Sequence, residues 1–314
     1  MKIKVENIAL RSKVLNTIAQ ANIIIAEYAA QGYGLTLRQL YYQFVSRGFL
    51  PNTQREYMKL GTAISSGRRA GLIDWDAIVD RTRFVRSPST WVDPADIINT
   101  CASQFKLDRW ADQPTNVEVW FEKDALLGIF ERAALDWRLP LLSCRGYGSD
   151  STYWEAAQRM IARTKRGRHN LVLHFGDHDP SGIDMTRDIE ARFALFGAIV
   201  EVRRLALTIK QVRKYNPPPN PAKETDSRFA GYRDLYGDES WELDALSPDV
   251  LVKLVSDEVK KVLDADKWAE SGSSEQAGRD ELRVVANHFP AAVKAAAKVE
   301  AREARKIARR SKRA

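Results

Sequence analysis

The chain has 314 residues, of which 44% are hydrophobic, and a formal net charge of +8. That length supports a substantial core and two domains. No apolar run is long enough to span a bilayer and Met1–Glu6 does not open a secretory segment, so a cytoplasmic protein without membrane partners is expected. The two cysteines, Cys101 and Cys144, have neither metal-ligand nor disulfide spacing, which fits a reducing compartment.

Residues 11–31 read as an amphipathic helix closed by Gly32. Thr36–Leu37–Arg38–Gln39 is a capping box, and the helix it opens runs to about Arg47 before Gly48. Thr53–Gln54–Arg55–Glu56 is a second box, opening a helix that reaches Arg69 and stops at Gly71. These helices, followed by the β-like Leu72–Trp75, resemble a winged helix-turn-helix (CAP-like) domain over residues 1–105. The third carries Arg55, Lys59, Arg68 and Arg69, as expected of an element laid in the major groove of double-stranded DNA.

Residues 87–115 are polar and interrupted by Pro88, Pro94 and Pro114, which puts a boundary near 105–115. An α/β domain with a parallel sheet is then expected over 110–265. Its strands are predicted at Val117–Phe121, Leu141–Cys144, Asn170–Leu173 and Ala198–Val202. Pro217–Pro221 reads as a stiff extended connector, and a helix is predicted near 248–265. A Ser/Gly-rich break at 271–274 precedes a basic helical tail over 275–314. Within residues 291–314, Lys294, Lys298, Arg302, Arg305, Lys306, Arg309, Arg310, Lys312 and Arg313 face only Glu300 and Glu303, a net +7 of the +8. Such an end binds phosphate backbones without reading sequence, or serves simply as a solvated tail.

Two strand ends carry acids. Asn170–Leu173 runs into His174–Phe175–Gly176–Asp177–His178–Asp179–Pro180–Ser181–Gly182. In extended chain, residues two apart point the same way, so Asp177 and Asp179 are expected to converge with His178 turned elsewhere. Ligands of open α/β sheets bind outside the carboxyl ends of strands. Glu122 ends the strand Val117–Phe121 in the same manner. Two converging hard oxygen ligands suit Mg²⁺ better than zinc, and Glu122 brings a further acid at a second strand end. The plain alternative makes these turn and helix-capping acids. Among the histidines, His174 is expected in the core, and His178 could tune the acids or contact DNA. His169 and His288 lack partner spacing, and Trp154, Trp241 and Trp268 read as packing residues.

Arg38 and Tyr42 are four apart and share a helix face, next to Tyr41. A phenol, with an ordinary pKa of about 10, is a poor nucleophile at neutral pH. A guanidinium beside it stabilises both the phenolate and the crowded phosphorus that follows its attack.

The order Arg38–x–x–Tyr41–Tyr42, Glu122–Lys123, Asp177–x–Asp179–Pro180–x–Gly182 resembles the A subunit of topoisomerase VI and the related meiotic double-strand-break transesterases. It is most similar to their stand-alone miniature forms in phages and mobile elements, over roughly residues 10–215. The resemblance implies a winged-helix domain followed by a Toprim domain. It implies Tyr42 as nucleophile, Arg38 as its helper, Glu122, Asp177 and Asp179 as Mg²⁺ ligands, and Lys123 at the phosphate. It further implies a homodimer with an active site shared between protomers, and a 5′-phosphotyrosyl DNA link as product. Two departures stand out. The turn Gly146–Tyr147–Gly148–Ser149–Asp150 lacks the proline of relatives, and no nucleotide-binding signature is present, so strand passage would need a separate ATPase subunit. The alternatives are a Toprim nuclease that uses water, or a non-enzymatic winged-helix DNA binder.

Overall fold

The structure is a computed structural model that describes residues 1–79 and 87–311, the side chains of 305–311 excepted. The side chains of Arg309 and Arg310 therefore lie outside the described residues. In chain order the elements are α1 (Ser12–Ala30), α2 (Leu37–Ser46), α3 (Gln54–Arg69), α4 (Pro94–Gln104), β1 (Thr115–Phe121), α5 (Leu127–Trp137), β2 (Leu141–Ser143), α6 (Asp150–Thr164), β3 (His169–Phe175), α7 (Pro180–Leu195), β4 (Glu201–Ala206), α8 (Ile209–Tyr215), β5 (Asn220–Pro221), α9 (Phe229–Tyr236), β6 (Glu239–Ser240), α10 (Pro248–Val262) and α11 (Ala265–Ser311). They form two compact units: Met1–Phe84 with Pro114–Leu263, and Val85–Gln113 with Asp264–Ala314. Most of the segments expected as separate first and second domains thus share one unit, while 85–113 belongs with the C-terminal helix.

Local sequence sets the first three helices. Thr36 and Gln39 close both bonds of the capping box on α2. On α3 only half of the expected box forms: Thr53 accepts from the Glu56 amide, but the Glu56 carboxylate turns to Lys59 at 2.6 Å. Ile18, Ile24, Leu40, Phe44, Leu60, Ile64 and Ile73 meet as the core of the bundle. The expected strand Leu72–Trp75 does not form. Among the described residues no strand lies in a ladder beside it; isolated bridges pair Lys4 with Ala70 and Leu35 with Ile78 instead.

The sheet is four-stranded and parallel throughout, in the order β2-β1-β3-β4. Both central strands are buried along nearly their whole length, as parallel strands covered on both faces must be. Trp120 and Val172 pack with Tyr153, Met160, Ile189 and Phe193 of α6 and α7. On the other face Phe130 of α5 stacks on Phe121 with ring centres 4.7 Å apart. The last strand begins at Glu201, three residues after the predicted Ala198. On the α6 side, buried Glu118 takes Arg163 at 2.7 Å and Arg159 at 3.1 Å, so two of that helix's arginines serve the interior.

After the proline connector, β5 pairs antiparallel with β6, and Trp241 then bridges to His178 through both backbone groups at 2.8 and 2.9 Å. This lays residues 242–244 against the end of β3.

In the second unit α4 packs along α11, which runs unbroken through 271–274 and through Pro290. The predicted break is absent because the small residues make room for a neighbour: a Cβ on Gly272 would lie 2.9 Å from the Arg109 guanidinium. The Leu107 amide donates to Glu275 at 2.9 Å, and Arg279 donates to the Phe105 carbonyl at 2.9 Å.

Candidate functional site

The carboxyl ends of β1 and β3 lie side by side, with the Glu122 amide donating to the Phe175 carbonyl at 2.9 Å. Glu122 Oε2 accepts the Asp177 amide at 2.9 Å. Asp179 caps α7, taking the Gly182 amide at 2.5 Å and the Ser181 hydroxyl at 3.1 Å. Gly182 is required there, because a Cβ would run into the Asp177 carbonyl oxygen. Arg204, from β4, stitches the turn together by donating to the carbonyls of Gly176 (3.1 Å), Asp177 (2.6 Å) and Gly182 (2.7 Å). Burial pulls its pKa down, against the pull of Glu122, Asp177 and Asp179.

The expected convergence of Asp177 and Asp179 does not form. The open N-terminus of α7 claims Asp179. Asp177 turns the other way, where Oδ1 accepts the Leu243 amide at 2.8 Å and Oδ2 meets Lys123 Nζ at 2.6 Å. Among the described residues, the acids whose ligand atoms lie within 4.8 Å of one another are Asp177, Glu242 and Asp244. Glu242 and Asp244 were missed in the sequence. Their only local signal is an E-x-D spacing behind a two-residue strand, which has no force until β3 is beside it.

Lys123 Nζ sits among these three acids, at 2.6 Å from Asp177, 2.5 Å from Glu242 and 3.3 Å from Asp244. Burial disfavours its ammonium, but Asp244, Asp177 and Glu242 outweigh that and hold its pKa well above the ordinary lysine range. Arg38 reaches the same acids from α2, with Nε 2.9 Å from Asp244 and Nη2 2.5 Å from Glu242. The same Nη2 donates to the Tyr42 hydroxyl at 3.2 Å. The tyrosine-bearing helix and the acid-bearing strand ends therefore meet within one chain.

The two tyrosines play different parts. The Tyr41 hydroxyl pegs the α2–α3 turn, accepting the Thr53 amide at 2.7 Å and donating to the Thr53 carbonyl at 2.9 Å. Both tyrosines line a cleft of about 510 Å³ together with Arg38, Asp179, Asn220, Lys223 and Glu242, but there it is Tyr42 whose hydroxyl takes Arg38. Burial, then Asp244 and Glu242, push the Tyr42 phenol well above its ordinary pKa, while Arg38 pulls it back. Glu242 is held down at about 2: burial opposes ionisation, and Lys123 and Arg38 overcome it. Burial raises Asp177, Asp244 and Glu122, with Lys123 pulling each down.

Five carboxylates (Glu122, Asp177, Asp179, Glu242, Asp244) face three fixed cations (Arg38, Lys123, Arg204) here. The all-oxygen donor set is of the kind that holds a hard divalent cation. Glu122 and Asp179 are the acids of this group that no lysine or arginine bridges at ion-pair distance among the described residues.

The remaining predicted groups separate. On α3, Arg55 is exposed and Lys59 pairs with Glu56. Arg68 is turned inward onto the carbonyls of Trp75 (2.8 Å) and Ile78, and Arg69 pairs with Glu6 at 2.8 Å. Arg68 thus pins the segment after α3, and Arg69 the N-terminal segment before α1. His174 is buried on β3, as expected, with Nδ1 2.9 Å from the Thr186 hydroxyl. His178 is turned away from the acids into a box of Tyr232, Tyr236 and Trp241. Trp154 is half exposed and packs edge-on against Phe196. Compared with protein-family models, with curated proteins and with solved structures, the chain matches none.

Proposed function

We propose that this chain is a DNA-cleaving and rejoining transesterase of the type IIB topoisomerase A-subunit kind, with a winged-helix element carrying Tyr42 and a Toprim element carrying the acids. One observation carries the reading: Arg38 Nη2 bonds both the Tyr42 hydroxyl and Glu242, and Glu242 leads through Lys123 to Asp177. A phenol, two fixed cations and a set of acids at one cleft are the parts such a reaction needs. Tyr42 gives up its hydroxyl proton and attacks the phosphorus, a phosphotyrosyl bond forms as the bond to the 3′-oxygen breaks, and that oxygen takes up one proton to leave as a hydroxyl, so protons balance. Arg38 holds the hydroxyl and offsets charge as it develops on the phosphate oxygens. Lys123 offers a second positive charge beside it. Glu122 and Asp179, joined by Asp177 once it turns back from Lys123, would hold Mg²⁺, which when bound would stabilise charge on the phosphate and the leaving oxygen. Double-stranded DNA and a second copy of the chain are the partners in this reading, and the basic end, including Arg309 and Arg310, adds affinity for the DNA backbone.

The test is covalent trapping. Denaturing a mixture of protein, supercoiled DNA and Mg²⁺ should leave protein on a DNA 5′ end, and Tyr42→Phe should abolish that adduct. An adduct formed by Tyr42→Phe would refute Tyr42 as nucleophile. One observation favours a second reading, hydrolysis by water: burial, and then Asp244 and Glu242, raise the Tyr42 phenol above its ordinary pKa, which disfavours the phenolate. Cleavage with free ends and no adduct at any time would select it.

A further inference from the structure

We propose that Glu242 is a placeholder for phosphate: its carboxylate occupies, between Arg38 and Lys123, the position that an oxygen of the bound phosphate takes. The identification of that phosphate as part of DNA rests on the function proposed above; the anion site itself does not.

A single atom, Glu242 Oε2, receives both Arg38 Nη2 and Lys123 Nζ, each at 2.5 Å. Arg38 Nη2 is also the donor to the Tyr42 hydroxyl, so whatever replaces Oε2 lies next to that hydroxyl. Lys123 has three N–H donors, and Asp177, Glu242 and Asp244 take one each. An incoming anion therefore has to displace one of the three.

Burial decides which. The Asp244 side chain is wholly buried and that of Asp177 is 9% exposed, whereas that of Glu242 is 24% exposed and lines the cleft. Asp177 is further fixed by the Leu243 amide. Of the three, Glu242 is the one that can swing into water, where hydration offsets part of what its two ion pairs contribute. Asp244 stays, holding Arg38 Nε at 2.9 Å and Lys123 at 3.3 Å, so both cations keep their places when Glu242 leaves. A phosphodiester carries one negative charge, like the carboxylate it replaces, so the exchange leaves the local balance unaltered. Glu242 thereby keeps two desolvated cations organised in the absence of substrate, and an anion must compete with it.

The test uses the full chain and inorganic phosphate as the probe, read by calorimetric titration. Glu242→Gln preserves shape and removes the competing charge. If the site is open for about a tenth of the time, that variant should bind phosphate about tenfold tighter than the parent. Glu242→Asp, whose shorter arm cannot bridge both cations, should bind with intermediate strength. The gain must vanish in Lys123→Met/Glu242→Gln and be absent from Glu239→Gln, which removes an exposed acid nearby. Unchanged or weaker phosphate binding by both Glu242 variants, or a gain that survives loss of Lys123, would overturn the placeholder. Covalent trapping fails separately: a parent chain that forms no adduct, beside a Glu242→Gln gain that depends on Lys123, would remove the transesterase and leave the anion site standing.

Discussion

Arg38 Nη2 lies 3.2 Å from the Tyr42 hydroxyl one turn along the same helix, while Arg38 Nε lies 2.9 Å from Asp244, more than two hundred residues away in sequence. A lysine in place of Arg38 keeps the charge but has a single nitrogen, where the guanidinium places Nε on Asp244 and Nη2 on Glu242 and the Tyr42 hydroxyl. Arg38→Lys is expected to fold and to slow adduct formation about a hundredfold or more, measured in a single turnover. Equal rates would show that the guanidinium fork is irrelevant. Arg38→Ala should also cost about 2 kcal/mol in urea unfolding, since it strips a counterion from buried Asp244, with the loss moderated by solvent at Arg38.

Tyr41 and Tyr42 are separable by experiment. The Tyr41 hydroxyl bonds both backbone groups of Thr53, so Tyr41→Phe should lower stability by about 1–2 kcal/mol in chemical denaturation and still form the DNA adduct. A Tyr41→Phe protein of parental stability that had lost the adduct would reverse the two assignments.

His174 sets one limb of the acid stability curve. Burial, then Arg204, depress its pKa to about 3, and no group among the described residues lies within hydrogen-bond reach of its Nε2. Below about pH 6.5 the unfolded chain takes up a proton that the folded chain refuses, so stability is complete above that pH and falls as the pH drops toward 3. His174→Leu should reduce the slope of unfolding free energy against pH by about 1.4 kcal/mol per pH unit across that window. Identical slopes for parent and variant would show that His174 titrates normally in the fold.

Gly278 tests the close approach in the second unit. A glycine-to-alanine change inside a helix ordinarily stabilises it by about 1 kcal/mol. Here the added methyl would lie 2.5 Å from the Phe105 ring, and such overpacking costs about 1–3 kcal/mol. Gly278→Ala is therefore expected to lower the thermal midpoint. A rise would mean that α11 runs clear of residue 105.

Short-range physics was legible in the chain. Capping residues and glycine stops set α1 to α3 within a residue or two, and the apolar runs marked β1 and β3 because parallel strands are buried on both faces. The same logic placed Glu122 and Asp177 at neighbouring strand ends, and put Arg38 and Tyr42 on one face of α2. What it could not supply was partnership. Arg68 and Arg69 have the composition of a DNA-contacting pair, yet carbonyls at 75 and 78 and the carboxylate of Glu6 claim them. Ser271–Ser274 has the composition of a break, yet Arg109 packs against it and the helix continues. Glu242 and Asp244 become part of the site only because Trp241 bridges to His178 and so brings an arm from more than sixty residues downstream against β3. Propensity and spacing act over a few residues. The sharing of a buried charge is decided by whichever opposite charge the completed fold brings within about 3 Å, where low dielectric makes that pairing dominate.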